Sequence, residues 1–221
     1  MTSKRRRSPV AEARAQMYRA LVLDCAERVF ARRGYHTARM QEVAAEAGIS
    51  LNTLYAAFPG KREIFEALHE TRGAEFLAQV TVALDAPVGA RESLRLGVAA
   101  FVDYLVRHPD YFRVDLREGR SWAIGDVEAS PAFQAGIKNW TALMRRGIEE
   151  GVFHPDDPDV MAATTFGVMQ IQLAAWLAKS SAPDPSAIAE RIAAQLERAL
   201  CLPEVLTMPG SPGKQAESRG S

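Results

Sequence analysis

The chain has 221 residues, long enough for one large domain or two smaller ones, and its 48% hydrophobic content excludes a wholly disordered chain. Basic and acidic residues balance at 27 each, but residues 1–62 hold twelve basic and five acidic side chains, so this part carries +7 and residues 63–221 carry −7. Such a division excludes a uniformly charged surface and is typical of a nucleic-acid-binding module joined to a module with another role.

The two cysteines, Cys25 and Cys201, stand too far apart in sequence for a metal or redox motif, which suits a reduced, intracellular protein. The basic run KRRR at residues 4–7 is followed by no apolar stretch, because Glu12 and Arg14 interrupt it. A signal peptide is therefore not expected, and we predict a cytoplasmic location.

Residues 1–10 predict a flexible basic arm. Such an arm could lie along DNA phosphates or enter a minor groove, or it could be only a solvated tail. A first helix is expected over residues 11–33, because Val22, Ala26 and Phe30 recur at helical spacing and define an inward face.

Residues 43–61, VAAEAGISLNTLYAAFPGK, predict two short helices joined by a tight turn. Gly48 suits the left-handed conformation in which a chain leaves a helix. Ser50 suits the N-cap of the next helix, because its hydroxyl can accept an orphan backbone N–H. Leu54 and Phe58 are four residues apart and should pack inward. The pattern indicates a helix-turn-helix, whose second helix can lie in a DNA major groove.

The outward side of that second helix is expected to carry Leu51, Asn52 and Tyr55. An asparagine can bond adenine through two atoms, and an apolar side chain can contact a thymine methyl. Tyrosine hydroxyls and lysine amines are common phosphate partners. A helical hairpin without a ligand is the alternative, but the spacing, the caps and the local positive charge together favour DNA reading.

The remaining chain predicts helices and no strand. The fold class is therefore all-α, with a three-helix helix-turn-helix domain at residues 11–62 and a second helical domain at residues 63–202. Residues 203–221 are rich in Pro, Gly and Ser and are expected to be disordered. The further helices are expected over residues 61–84, 91–107, 110–121, 131–150, 160–178 and 186–202.

Residues 160–178 contain no charged residue and are long enough to cross a membrane. Two threonines and two glutamines, Gln170 among them, make this segment a poor membrane span. A helix that is apolar nearly all round is more typical of one buried in a core or against a partner subunit. We therefore expect no membrane contact.

The run from residue 22 to residue 68 closely resembles the TetR family of transcriptional regulators. The resemblance is carried by the first helix VLDCAERVFARRGY, by MQEVAAEAGIS and by LNTLYAAFPGKREIFEAL. It implies DNA contacts at Ser50, Thr53 and Tyr55, and a phosphate contact by Lys61 at the start of the fourth helix. Leu51 and Asn52 depart from the lysine and glycine that are frequent in the family, and they are expected to read bases.

The start of the second helix also departs from the family pattern. A threonine or serine cap is frequent there, whereas this chain has Ala38 and Arg39. The cap is expected to come from Thr37 or to be absent, and Arg39 is expected to reach a phosphate.

The resemblance further implies that the C-terminal half holds a small-molecule site and a dimer surface. Large aromatic residues with few polar groups suit an apolar or aromatic effector, although each of them could simply fill the core. A buried Gln170 would need a hydrogen-bond partner from an effector or a second subunit. The candidate effector residues are Phe101, Tyr104, Phe112, Trp122, Trp140, Phe166, Met169, Gln170 and Trp176.

No enzyme pattern is present in the sequence. His69-Glu70 would need a second histidine at position 73 to form a zinc motif, and Gly73 stands there. We expect no catalytic residue, no metal and no cofactor. The predicted function is a homodimeric, ligand-responsive repressor that binds a palindromic operator. The alternative is a helical small-molecule binding protein with a vestigial DNA module.

Overall fold

A computed structural model describes residues 9–118, 131–178 and 184–207. All regular elements in these ranges are helices, which confirms the all-α prediction. In chain order they are α1 (Pro9–Arg33), α2 (Met40–Glu46), α3 (Leu51–Ala57), α4 (Lys61–Leu84), α5 (Ala90–Arg107), α6 (Pro109–Arg117), α7 (Pro131–Glu149), α8 (Pro158–Leu177), α9 (Pro185–Leu200) and α10 (Pro203–Thr207).

The helices form two compact units, and each unit combines two segments that are separated in the sequence. The first unit contains the chain up to Glu75 and a later segment from His108, so it includes α1, α2, α3, the first part of α4, and α6. The second unit contains the end of α4, from Phe76, together with α5 and α7 to α10. A functional boundary after residue 62 stays a prediction, but the compact units do not separate there.

The first unit is built around the inward faces of α1 to α4. Val22 and Phe30 of α1, Leu54 of α3 and Ile64 of α4 all lie in one apolar core with no exposed surface. Val114 of α6 belongs to the same core. Cys25 is also buried, as the period of α1 predicts, and burial raises the pKa of its thiol.

Helix α6 is attached to the first unit at both ends. The backbone N–H of Tyr111, in the first turn of α6, donates to Glu27 Oε1 of α1 at 3.1 Å. The other oxygen of this buried carboxylate accepts from Arg72 of α4 at 2.8 Å. At the far end, Arg117 donates to the Ala31 carbonyl of α1 at 2.6 Å, and Glu118 accepts from the Tyr35 N–H. The side chain of His108, the N-cap of α6, makes no capping hydrogen bond. Glu27 of α1 therefore accepts a first-turn N–H of α6 that would otherwise lack a partner.

The charge of Arg72 is well compensated in this arrangement. Its guanidinium also contacts Asp24 at 2.8 Å and Glu75 at 3.1 Å. Burial disfavours the charged form, but hydrogen bonds and Coulomb attraction to Glu27 and Glu75 outweigh it, so the pKa of Arg72 lies above the usual arginine value.

The second unit packs α5 against α9 and α7 against α8. Two glycines permit the closest approaches, because a Cβ at Gly97 would collide with Leu84 and Trp140, and one at Gly147 would collide with the ring of Phe153. The ends of α7 and α9 are joined by backbone hydrogen bonds around an isolated bridge between Phe153 and Cys201. Burial raises the pKa of the Cys201 thiol to about 11, which makes it a poor nucleophile.

Two boundary predictions need correction. The prediction of disorder from residue 203 begins too early, because α10 forms a short helix and Arg91 of α5 donates to its Val205 carbonyl at 2.9 Å. The sequence missed it because Pro, Gly and Ser dominate the residues that follow. Residues 9 and 10 belong to α1 and not to an arm, while residues 1–8 and 208–221 lie outside the described ranges.

Helix α8 alone is long and apolar enough, among the described residues, to cross a membrane. Its most apolar window has a mean hydropathy of 1.4, and 39% of that window is buried within the protein. Helices in protein cores can have the same length and apolar composition as a membrane span. Helix α8 packs against both α7 and α9. The sequence predicted burial in a core or against a partner subunit, and the first accounts for only part of this helix.

Candidate nucleic-acid interface

The turn between α2 and α3 has the geometry that its sequence predicts. Gly48 adopts a φ of +63°, and Ser50 is the N-cap of α3, where its Oγ accepts the Thr53 N–H at 3.1 Å. Leu54 and Phe58 point inward, with 0% and 1% of their surface exposed. The helix-turn-helix is therefore held by a left-handed glycine, a serine cap and two buried side chains.

The outward side of α3 is narrower than predicted. Asn52 and Tyr55 are exposed, and Tyr55 keeps 46% of its surface accessible. Leu51 was expected to face solvent, but it is only half-exposed and packs against the core of the first unit. Leu51 is the first residue of α3, directly after the turn, and Ile49 of that turn packs against the same core. The Thr53 and Ser50 hydroxyls lie 2.8 Å apart and bond each other.

The start of α2 is capped in a way that the sequence did not predict. Arg39 is the N-cap, and its backbone N–H donates to Glu42 Oε2 at 2.9 Å. Thr37 was a candidate for this cap, but its hydroxyl instead donates to the Arg33 carbonyl at the end of α1. In a capping box, the side chain three residues after the N-cap accepts the N–H of the N-cap residue. The Glu42 carboxylate makes this bond here.

Arg39 is exposed, and within the described part of the chain its guanidinium makes no hydrogen bond or ion pair. It lies on the rim of a surface depression that is also lined by Arg32, Arg33, Thr37, Gln41 and Glu42. The neighbouring arginines are partly neutralised, since Arg32 contacts Glu46 at 2.6 Å and Arg33 contacts Glu42 at 3.3 Å. Arg39 therefore has the donors that a backbone phosphate would require. Gln41 was not singled out from the sequence, because an exposed glutamine carries no specific signal.

Lys61 is engaged in a different way from the expected phosphate contact. Its Nζ donates to the backbone carbonyls of Tyr35 at 2.6 Å and of His36 and Ala38 at 2.9 Å each. Three carbonyls use all three donors of an ammonium group. The side chain ties the turn between α1 and α2 to the start of α4, and a phosphate contact would have to break one of these bonds. The contact with DNA stays a prediction, and the geometry weighs against it.

The second unit contains a chain of aromatic contacts that includes several predicted effector residues. Phe101 and Phe166 meet edge to face at 5.7 Å, and Phe166 meets Phe133 at 5.3 Å. Phe76 contacts both Phe101 and Tyr104, at 5.2 and 5.3 Å. Phe76 and Phe133 were not among the candidates.

The other effector candidates have different positions. Trp140 is buried against Gly97, and Met169 is fully buried. Phe112 lies on α6 and belongs to the first unit, while the aromatic chain belongs to the second. Trp176 is half-buried, and Trp122 lies outside the described residues.

Buried polar atoms without a partner occur on α5 and α8 of the second unit. Gln170 is 3% exposed, and its Oε1 accepts no hydrogen bond within the described residues. The hydroxyls of Thr165 and Ser93 have no surface exposed and no partner in the same ranges. Buried polar atoms are normally hydrogen-bonded, so each of these three groups is unusual for a filled core.

Comparisons with known proteins match two successive parts of the chain. The family model described as bacterial regulatory proteins of the tetR family matches residues 22–68, and the tetracyclin repressor-like C-terminal domain matches residues 87–200, more than half of the chain. The transcriptional activator FasR of Mycolicibacterium smegmatis is 34% identical over 96 residues, which are 43% of this chain and 44% of FasR. The chain thus spans less than half of that relative.

Two further proteins are similar over a larger share of their length. The transcriptional repressor SCO4008 of Streptomyces coelicolor is 25% identical over 158 residues, 72% of this chain and 77% of that protein. A tetR-family regulatory protein from Rhodococcus RHA1 has a crystal structure with a TM-score of 0.71 at 25% identity, covering 83% of this chain and 97% of that one. The vestigial alternative is not favoured, because the helix-turn-helix is intact and lies within a matched family model. The chain therefore belongs to the TetR family of transcriptional regulators, with an N-terminal DNA-binding helix-turn-helix and a C-terminal helical domain.

Proposed function

We propose that this chain is a cytoplasmic, ligand-responsive repressor that binds a palindromic operator as a homodimer. The unpaired Arg39 guanidinium at the start of α2, together with the exposed Asn52 and Tyr55 of α3, carries the DNA part of the proposal. Asn52 and Tyr55 would meet base edges and phosphates, and Arg39 would bond a phosphate from the start of α2. Two copies would meet half-sites about 34–36 Å apart.

The DNA part is tested by selection of binding sites from random duplexes, followed by salt titration of the variants. The selection is expected to return a palindrome. Arg39→Ala should lower the slope of log K against log salt by about 1.8, because a dimer would lose two phosphate contacts at about 0.9 each. Arg62→Ala is the matched control, since Arg62 is an exposed arginine of the same unit whose guanidinium pairs with Glu66 at 2.7 Å. Equal slopes for the wild type and Arg39→Ala would refute the contact.

The dimer is proposed to form through the outer face of α8. Val160 and Ile171 are 57% and 58% exposed there, and a Cβ added at Gly167 between them would meet no atom within 4 Å. Thr164 and Ala175 extend this exposed, uncharged face along the helix. Exposed apolar surface of this extent suits burial against a second copy, and a two-fold axis would pair the same face with itself.

Sedimentation of charged variants tests the dimer. Ile171→Arg is expected to yield monomers and to lose operator binding, because two buried arginines would face each other across the axis. Val82→Arg is the matched control, because Val82 of α4 is 76% exposed but lies on a helix outside the proposed interface. If Ile171→Arg stays dimeric, the dimer surface lies elsewhere.

The effector is proposed to be an apolar or aromatic small molecule with a hydrogen-bond donor, bound in the second unit. The aromatic chain around Phe101 and Phe166 would contact its apolar part, and Gln170 would accept its donor. The effector would favour a conformation in which the two recognition helices no longer match adjacent grooves. These two relatives differ in the direction of regulation, since SCO4008 is a repressor and FasR is an activator. We propose repression because SCO4008 is similar over 72% of this chain and FasR over 43%.

A thermal-shift screen of apolar small molecules tests the effector site. A true effector should raise Tm and weaken operator binding of the wild type. Gln170→Leu should keep or raise the Tm of the free protein, because an unpartnered buried amide is replaced by an apolar side chain of similar size, yet it should lose the response. An unchanged response would exclude Gln170 as the acceptor.

A further inference from the structure

A basic residue of α1 is attached to the far end of the recognition helix α3. Arg19 Nη1 donates to the Ala57 carbonyl at 2.7 Å. Its guanidinium carbon lies 4.1 Å from the centroid of the Phe58 ring, which is cation–π distance. Ala57 is the last residue of α3, and Phe58 is its C-cap. One guanidinium therefore contacts two consecutive residues where the helix ends.

The end of α3 needs such a contact because the helix itself is short. It has seven residues, and Leu54 is its only buried side chain. The last carbonyls of any helix lack intrahelical partners, and the negative end of the helix dipole favours a cation. The N-terminal end of α3 is fixed by the Ser50 cap. Without Arg19, the C-terminal end would keep the buried Phe58 ring and the bond from the Phe58 N–H to the Leu54 carbonyl at 2.9 Å, but the Ala57 carbonyl would lose its donor.

We propose that Arg19 is a positioning residue for operator recognition, because it fixes the C-terminal end of α3 and thereby aims the outward side chains. The inference rests on the proposed DNA function. Since a helix rises about 1.5 Å per residue, Tyr55 is about 3 Å from the anchored end and Asn52 about 7.5 Å. A shift of that end displaces the whole outward face of such a short helix. Arg19 lies outside the matched family model, which begins at residue 22.

The planar guanidinium is the property that the geometry uses. It can place its flat face over the Phe58 ring while one N–H reaches the Ala57 carbonyl in the same plane. A lysine keeps the positive charge but is a point donor on a flexible stem without a planar face, so it cannot reproduce the stacked contact with the Phe58 ring. Arg19→Lys therefore separates the positioning function from the charge.

The experiment measures affinity for the selected operator and for random duplex DNA, the salt slope on random DNA, and Tm. Arg19→Lys is expected to lower the ratio of operator to random affinity by about tenfold, the cost of disturbing recognition of roughly one base pair in the whole operator. Random-DNA affinity and its salt slope should stay unchanged. Arg14→Lys is the matched control, because Arg14 lies on the same helix and contacts only Tyr18 within the described residues.

Three outcomes overturn the inference. An unchanged ratio for Arg19→Lys means that α3 is positioned without Arg19. A lower salt slope for Arg19→Gln with an unchanged slope for Arg19→Lys means that Arg19 bonds a phosphate directly. A lower Tm with an unchanged ratio means that Arg19 only stabilises the fold. Failure of the proposed function is distinct, because the wild type itself would then show no preference for any sequence.

Discussion

Replacement of Lys61 by methionine separates two functions for this side chain, a phosphate contact and a structural tie. Methionine keeps the apolar stem and removes the ammonium group that donates to Tyr35, His36 and Ala38. A hydrogen bond from a charged group contributes about 1.5–3 kcal/mol. The three bonds do not add to their full sum, because Lys61 is only half-buried and water replaces part of them. We expect a loss of about 2 kcal/mol in the free energy of unfolding.

The assay combines a melting curve with a salt titration. A loss of that size lowers Tm by about 4–8 °C in a protein of this length. The slope of log K against log salt on random DNA should not change, because no phosphate contact is lost. Lys138→Met is the control, since Lys138 is an exposed lysine of α7 with no partner among the described residues. A slope lower by about 1.8 with an unchanged Tm would refute the structural tie and restore the phosphate contact.

Three further predictions concern recognition, the attachment of α6 and core packing. Asn52→Ala should cost roughly 1–3 kcal/mol on the selected operator and less on random DNA, measured by fluorescence anisotropy, and equal losses would exclude base reading. Glu27→Gln should lower the stability of the protein by about 1.5–3 kcal/mol in urea unfolding, because the carboxylate that holds Arg72 and the Tyr111 N–H loses its charge. An unchanged midpoint would mean that Glu27 does not cap α6. Gly147→Ala should lower Tm, because its Cβ would collide with Phe153, and an unchanged Tm would show that the ring can move aside.

Local rules of sequence predict the local geometry of the helix-turn-helix well. Gly48 has the positive φ predicted where α2 ends, and Ser50 makes the predicted cap. These outcomes depend on one residue and its near neighbours, so the sequence contains the required information. The predicted burial of Cys25 and Leu54 is confirmed for the same reason, because helical period alone decides which face turns inward.

Long-range contacts were not predictable in this way. The bond from Arg19 to Ala57 joins residues 38 positions apart, and that from the Tyr111 N–H to Glu27 joins residues 84 positions apart. Periodicity shows that a face is apolar or charged, but it does not identify the partner of that face. Helix α6 was therefore assigned with the C-terminal half, whereas its caps and core contact belong to the first unit.

Long-range contacts also change how the positive charge of residues 1–62 is interpreted. Its net charge of +7 suggested many cations available for phosphates, but most of the described ones are occupied. Lys61 and Arg19 bond backbone carbonyls, and five arginines contact carboxylates or a tyrosine hydroxyl: Arg14, Arg28, Arg32, Arg33 and Arg62. Arg39 alone, among the described basic residues of this quarter, has an unengaged guanidinium. Since each phosphate contact adds about 0.9 to the salt slope, DNA affinity in this chain should depend less on the total charge than on Arg39 and on the basic residues 4–7, which lie outside the described ranges.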